Sequence, residues 1–213
     1  MKNRSLYILG AGSVGKHVAS NPDTYALNYD EIFFLDDDTS KQNKRVCGLK
    51  VLGGIDLLAQ IDHSIDVVVG IAFPSIKQKL MDRLKQQSNL SFPTLSAKGV
   101  WISKDVHLGA GCIIYPGCSI NYGVELGDFI VMNLNCAIGH DTKVGSFSSL
   151  APGVNLAGHT TIGENVEMGI GSATKQSITI GSHAIVGGNS MVIRDVDPNQ
   201  TVAGVPAKPI KQR

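Results

Sequence analysis

No apolar run in the chain approaches the roughly 20 residues that span a bilayer. Charge of one sign is not in excess either. Lys and Arg number 19 and Asp and Glu 18, a formal net charge of +1, which gives no basic footprint for nucleic acid or a membrane surface. Cysteine is scarce. Cys47, Cys112, Cys118 and Cys136 are the four, and no CxxC pair is among them, which argues against a zinc site or a redox couple. The N-terminal segment MKNRSLYILGAG has too short an apolar run for a secretory signal. These absences lead us to expect a cytoplasmic chain without a nucleic-acid or membrane partner. With 213 residues, 43% of them hydrophobic, the chain can bury a core and hold one or two domains.

What is present is a period of six, from Val100 to Val196. An aliphatic residue recurs at Ile102, Leu108, Ile114, Ile120, Leu126, Met132, Ile138, Val144, Leu150, Leu156, Ile162 and Met168, and again at Ile180, Val186 and Val192. Only Thr174 interrupts the series. Four residues further on, a second series is small or slim and includes Cys112, Cys118, Val124, Cys136, Thr142, Ser148, Thr160, Ser172 and Ala184. A helix of 3.6 residues per turn cannot keep a six-residue period on one face, whereas short strands joined by tight corners can. We therefore expect a parallel β-helix, in which stacked coils share one core. Both series should point inward. The glycines that often follow the aliphatic residue, such as Gly109, Gly139 and Gly163, should supply the backbone freedom of the corners. Three of the four cysteines belong to the slim series and read as core packing.

Ahead of the repeat lies a small α/β pattern. Ser5 to Leu9 reads as a strand, and Gly10-Ala11-Gly12-Ser13-Val14-Gly15 is a full GxGxxG. A helix over Lys16 to Ala19 follows, then a strand Ile32 to Leu35 that ends in Asp36-Asp37-Asp38. Glycines at that spacing let a phosphate approach backbone N–H groups at a helix N-terminus, with acidic residues at the next strand tip. The same glycines also make a tight turn with no ligand. A short helix Ile55 to Gln60, a strand Val67 to Gly70 and a helix from Pro74 to Gln87 complete the pattern. About 95 residues are too few for a full six-stranded dinucleotide domain, and the repeat offers no hydride chemistry. A half-size domain gripping a nucleotide on a substrate fits better. The boundaries read as 1–95, 96–196 and a tail, 197–213.

His140 falls at a corner, two residues after the inward Ile138, with Asp141 beside it. On an 18-residue coil Asp141 shares a corner with His159 and Ser177. A histidine supported by a carboxylate is a usual general base, and an exposed corner histidine without a role is the plainer alternative. His107 and His183 fall on other corners and read as surface residues. Three histidines holding zinc, as in β-helix carbonic anhydrases, fit poorly, because the histidine spacings are wrong and no HxxxxH occurs; no metal is expected. The run Met168 to Ala173 suits a backbone-rich groove for a pantetheine arm.

The hexads resemble those of the left-handed β-helix acyltransferases, with three hexads to a coil. With the α/β domain in front and GVPAKPI at the end, nearly the whole chain resembles the sialic-acid O-acetyltransferase NeuD family, including its PglD-type UDP-4-amino-sugar N-acetyltransferases. The resemblance implies a Rossmann-like nucleotide-binding domain followed by a left-handed parallel β-helix. It implies acetyl transfer from acetyl-CoA to a nucleotide-linked amino sugar in surface-glycan synthesis, by a homotrimer with sites between prisms. His140 matches the family's base and Asp141 its acidic partner, and Asn133 matches an asparagine near the acceptor amine. Gly12, Ser13, Val14, Asp36, Asp37 and Gly70 match segments that hold the sugar nucleotide. Ile170 and Gly188 match acetyl-CoA contacts. Two positions depart: Val14 and Ser149 each stand where the family often has histidine, Ser149 near the acetyl-CoA site. A sialic-acid-like hydroxyl as acceptor, or a non-catalytic nucleotide-sugar scaffold, are the alternatives.

Overall fold

The computed structural model describes residues 4–212. Met1 to Asn3 of the N-terminal segment and Arg213 of the tail lie outside them. The chain divides into two units, residues 1–72 with 79–93, and residues 73–78 with 94–213.

The first unit is mixed α/β. Its sheet is built on β1 (Ser5–Leu9), β2 (Glu31–Leu35), β3 (Arg45–Val46), β4 (Leu49–Gly53), β5 (Ile65–Val69) and β6 (Leu90–Ser91), in the order β3-β4-β2-β1-β5-β6. All neighbours run parallel except β3 and β4. The central strands bury near-continuous apolar runs, with Leu6, Ile8, Leu9, Phe34, Leu35 and Val67 sealed from solvent, as parallel strands covered on both faces require. Helix α1 (Ser13–Ser20) follows β1 and buries Val14, Gly15, Val18 and Ala19. It is twice the length expected from sequence, because Ser13 to Gly15 of the glycine motif are already helical. Ile55–Gln60 is a 3₁₀ turn. Helix α2 (Pro74–Leu84), whose residues 74–78 belong to the second unit, stops three residues earlier than expected, and Gln87 adds a single N–H bond to the Leu84 carbonyl.

The second unit is the repeat. Two-residue strands from β7 (Leu95–Ser96) to β23 (Met191–Val192) stack in three parallel sheets, the arrangement of a parallel β-helix. Pairing advances by 18 residues, for example Ile113 with Val131, Ala137 with Asn155, and Lys143 with Thr161. Successive strands therefore belong to faces one, two and three in turn. The first rung starts at Leu95, ahead of the sequence period. Beyond Val192 the advance shortens to 16, pairing Ile180 with Val196 and Ile185 with Thr201. The loss of two residues per coil is why the six-residue count ends there while the stacking goes on.

Both series point inward. Ile114, Ile120, Met132, Val186, Cys112, Cys136, Thr142, Ser148, Val166 and Ser172 are buried. Thr174, the exception, is buried too, and its Oγ1 accepts the Ala157 N–H at 3.1 Å. Elsewhere a strand carbonyl fills that role, as the Leu156 carbonyl does for the Gly139 N–H. The hydroxyl thus stands in for a ladder acceptor.

The corner glycines have a different purpose from the one expected. Left-handed φ falls two residues later, every sixth residue from Gly111 to Asn189, and is taken by Gly, Asn, Asp, His, Ser and Phe. Gly139 is needed for proximity: a Cβ there would lie 2.5 Å from the Gly158 nitrogen of the next coil. His107 is also corrected. It lies on a flat face, in the strand His107–Leu108 opposite Glu125, and is exposed. His183 is at a corner, with φ of 62°.

Candidate functional site

The repeat fixes the corner at residues 139–141 through two columns. Tyr122, His140 and Gly158 stand 18 residues apart and form one. Gly123, Asp141, His159 and Ser177 form the next, and all four have left-handed φ. Backbone bonds lock the stack: the Asp141 N–H donates to the Tyr122 carbonyl at 3.0 Å, and the His159 N–H donates to the His140 carbonyl at 2.9 Å. Left-handed backbone is uncommon outside glycine but tolerated best by Asn, Asp and His. Asp141 and His159 therefore suit the positions they occupy.

This geometry brings the side chains together. His140 Nδ1 lies 2.8 Å from Asp141 Oδ2, which assigns the proton to Nδ1 and leaves Nε2 as the basic nitrogen. His159 Nδ1 is 3.9 Å from the same oxygen. The His140 and His159 rings meet edge to face, with centroids 4.9 Å apart. Tyr122 stacks on His140 at 5.3 Å, with the planes 14° apart. His140 is partly open, its side chain 30% exposed, so a substrate can reach the ring. Such a group can take a proton from an incoming nucleophile.

The ligand atoms of His140, Asp141 and His159 all lie within 4.8 Å of one another. Four-coordinate zinc holds neighbouring ligands about 3.3 Å apart, from Zn–N bonds of about 2.0–2.1 Å. The His140–Asp141 pair is closer than that, at 2.8 Å, and the His159–Asp141 pair wider, at 3.9 Å, so the three are grouped as metal-ligating residue types can be but without zinc spacing.

The other candidates in this unit occupy different places. Asn133 is on the corner that follows face one, where its Oδ1 accepts the Leu134 N–H. Ile170 and Gly188 are on that same corner in later coils. Ile170 is 62% exposed, and a Cβ on Gly188 would come within 3.3 Å of the Ile170 carbonyl oxygen. Face two separates this corner from His140. A groove of about 340 Å³ runs along it, lined by Trp101, Asn121, Ala137, Asn155 and Ala173 among others. One chain thus does not gather His140, Asn133, Ile170 and Gly188 at one corner. Ser149 lies on face one and takes a 3.0 Å bond from Lys77 Nζ, which also donates to the carbonyls of Phe129 and Ser148. Lys77 is wholly buried, and burial pushes its pKa down to about 7.

In the first unit the candidates meet at the carboxyl ends of β1, β2 and β5, where open parallel sheets place ligands. Gly12 caps α1 with no side-chain bond, so Ser13 and Val14 open the helix. The loop packs backbone on backbone: the Gly15 N–H donates to the Gly70 carbonyl, and a Cβ on Gly70 would sit 2.7 Å from the Gly15 Cα. Asp36 is buried. Its Oδ2 accepts the Ala11 N–H at 2.7 Å and the Lys41 ammonium at 3.0 Å, and its Oδ1 accepts the Asp38 N–H. Burial pushes its pKa up, but these donors together outweigh that and hold it below the usual carboxylate value. Asp37 accepts the Ile55 N–H and an Arg83 guanidinium bond.

Neither Tyr122 nor Gly158 stood out in the sequence, although both lie one coil from His140. Nothing in the sequence marks Lys77. Burial pushes the Cys112 thiol up to about 11, and a bond to Cys118 together with burial pushes Cys136 up as well, while the bond with Cys136 lowers its buried neighbour Cys118.

Residues 5–84 match the PglD N-terminal domain family. A comparison with curated protein sequences finds no match. Among solved structures, the chain is similar to the acetyltransferase domain of PglB from Neisseria gonorrhoeae in complex with acetyl coenzyme A, at 30% identity and TM-score 0.89, over 98% of this chain and 100% of that one. It is also similar to PerB from Caulobacter crescentus, solved with CoA and GDP-perosamine, at 26% identity and TM-score 0.87, over 97% of each chain. WeeI from Acinetobacter baumannii shares the fold at 24% identity and TM-score 0.87, over 97% of this chain and 100% of that one.

Proposed function

The chain belongs to the PglD/NeuD-type sugar acetyltransferases, and from that premise we propose that His140 is the general base of an acetyl transfer. The enzyme moves an acetyl group from acetyl-CoA to the amine of a nucleotide-linked 4-amino sugar, a step in glycan synthesis. The observation that carries the assignment of the base is the 2.8 Å contact of His140 Nδ1 with Asp141.

In this reading Nε2 of His140 accepts the proton of the sugar amine as the nitrogen attacks the thioester carbonyl. Asp141 holds the ring in that tautomer and stabilises the imidazolium. A backbone N–H at the groove stabilises the oxyanion. The new C–N bond forms, the C–S bond breaks, and the thiolate of CoA takes a proton as it leaves. Cys112, Cys118 and Cys136 are all buried inside the coils, out of reach of a substrate, which favours direct transfer over an acyl-enzyme.

The finer assignments follow the same reading. Residues 1–95 form a Rossmann-like domain in which Gly12, Ser13, Val14, Asp36, Asp37 and Gly70 hold the nucleotide; Asp36 does so indirectly, by bracing the loop. Residues 96–196 form a left-handed β-helix, followed by the tail 197–213. Asn133 stands near the acceptor amine, while Ile170, Gly188 and Ser149 serve acetyl-CoA. The separation of Asn133, Ile170 and Gly188 from His140 supports a homotrimer in which neighbouring copies complete each site. Among the described residues no helix is long and apolar enough to cross a membrane; we place the enzyme in the cytoplasm.

A panel of nucleotide-linked 4-amino sugars and sialic-acid-like hydroxyl acceptors, each with acetyl-CoA, tests the reading by thiol release. Turnover with an amino sugar is expected. Turnover with hydroxyl acceptors alone would overturn the N-acetyl assignment, and none with any acceptor would favour the scaffold.

A further inference from the structure

We propose that Tyr122 and Gly158 are positioning residues that clamp the His140 ring, one from the coil before it and one from the coil after. The inference rests on the reading of His140 as base.

Tyr122 lies half exposed at the surface, 49% accessible. Its ring is nonetheless parallel to His140 within 14°, at 5.3 Å between centroids. Its carbonyl also accepts the Asp141 N–H, so one residue fixes the base through its ring and the base's partner through its backbone. On the other side stands Gly158. A Cβ there would lie 2.7 Å from His140 Nε2 and 2.8 Å from Cε1. Its φ is not left-handed, so backbone freedom does not demand glycine at this position. The space is needed by the ring. Gly123 does the same for the carboxylate, since a Cβ there would lie 2.6 Å from Asp141 Oδ1. His159 meets the ring edge to face.

A lone bond to Asp141 leaves the imidazole free to tilt about it. The stacked ring and the gap at Gly158 limit that tilt, so Nε2 points in one direction before substrate arrives. Pre-orientation of this kind acts on the chemical step, and a displacement of about 1 Å can cost about 10²-fold in rate.

The test measures thiol release by the full-length enzyme with acetyl-CoA and its accepted amino sugar. Tyr122→Ala should lower kcat about 10-fold and Gly158→Ala about 10²-fold, with both KM values within about twofold of wild type. Tyr122→Phe keeps the stacked ring and should restore kcat. Wild-type kcat in Tyr122→Ala would overturn the clamp, as would an equal loss in Tyr122→Phe, which would assign the effect to the hydroxyl. His140→Ala, run alongside, separates the two readings. Near-normal turnover there sinks the base assignment itself, whereas a dead His140→Ala beside a fully active Tyr122→Ala sinks only the clamp. The Tyr122 pair decides the matter even if Gly158→Ala does not fold, because Tyr122 is at the surface.

Discussion

The two units store information in different ways. In the coils a residue's place in the period sets its role: inward aliphatic, inward slim, left-handed corner, or outward on a flat face. In the α/β unit each polar residue has its own partners. Asp36 joins Ala11, Asp38 and Lys41, and Asp37 joins Ile55 and Arg83. The contrast teaches that a repeat gathers side chains at one corner through its period alone. Once the coil is 18 residues long, His140, Tyr122 and Gly158 are neighbours by arithmetic, whereas the glycine loop is braced bond by bond.

The largest effect expected from that contrast is in the α/β unit. Asp36→Asn keeps the shape of the side chain but turns an NH₂ toward one of its N–H donors. We expect a loss of roughly 1.5–3 kcal/mol, the usual worth of a hydrogen bond to a charged group, measured by urea denaturation at neutral pH. A loss below about 0.5 kcal/mol, ordinary for a surface substitution, would mean that the loop is not braced by this carboxylate.

A smaller effect tests whether the period is the whole account of the coils. Lys77 is outside the repeat yet buried against Phe129, Ser148 and Ser149. Its folded pKa of about 7 lies below the ordinary lysine value, so between the two the unfolded chain binds more protons than the folded one. Stability should therefore rise with pH from about 7 toward the ordinary lysine value, by at most about 1.4 kcal/mol per pH unit. Below the folded pKa both states are protonated and the burial penalty is fully present. Lys77→Met should flatten the slope of the urea midpoint against pH. An unchanged slope would show that Lys77 does not titrate in this range.

The legibility of the sequence follows the same division. Hexads announce the coils, both inward series and the corner of His140, because burial repeats at a fixed spacing. The glycine at the corner misleads, since sequence cannot separate a residue chosen for φ from one chosen because the next coil is 2.5 Å away, as at Gly139. His107 misleads similarly: a six-residue count places it at a turn, but it is a strand residue facing out. The glycine motif is plain in the sequence, whereas the bracing of its loop by Asp36 through Ala11 is a tertiary fact. Lys77 had no signal, because its partners are 52 to 72 residues away. Tyr122 and Gly158 were within reach of the 18-residue count, which finds them only once His140 is singled out.

The most direct measurement is turnover of the His140→Ala enzyme in the thiol-release assay, with saturating acetyl-CoA and amino sugar. A fall of roughly 10²–10⁴-fold, as for loss of a general base, is expected, while binding of acetyl-CoA measured by calorimetry is retained. Turnover near that of wild type would contradict the account.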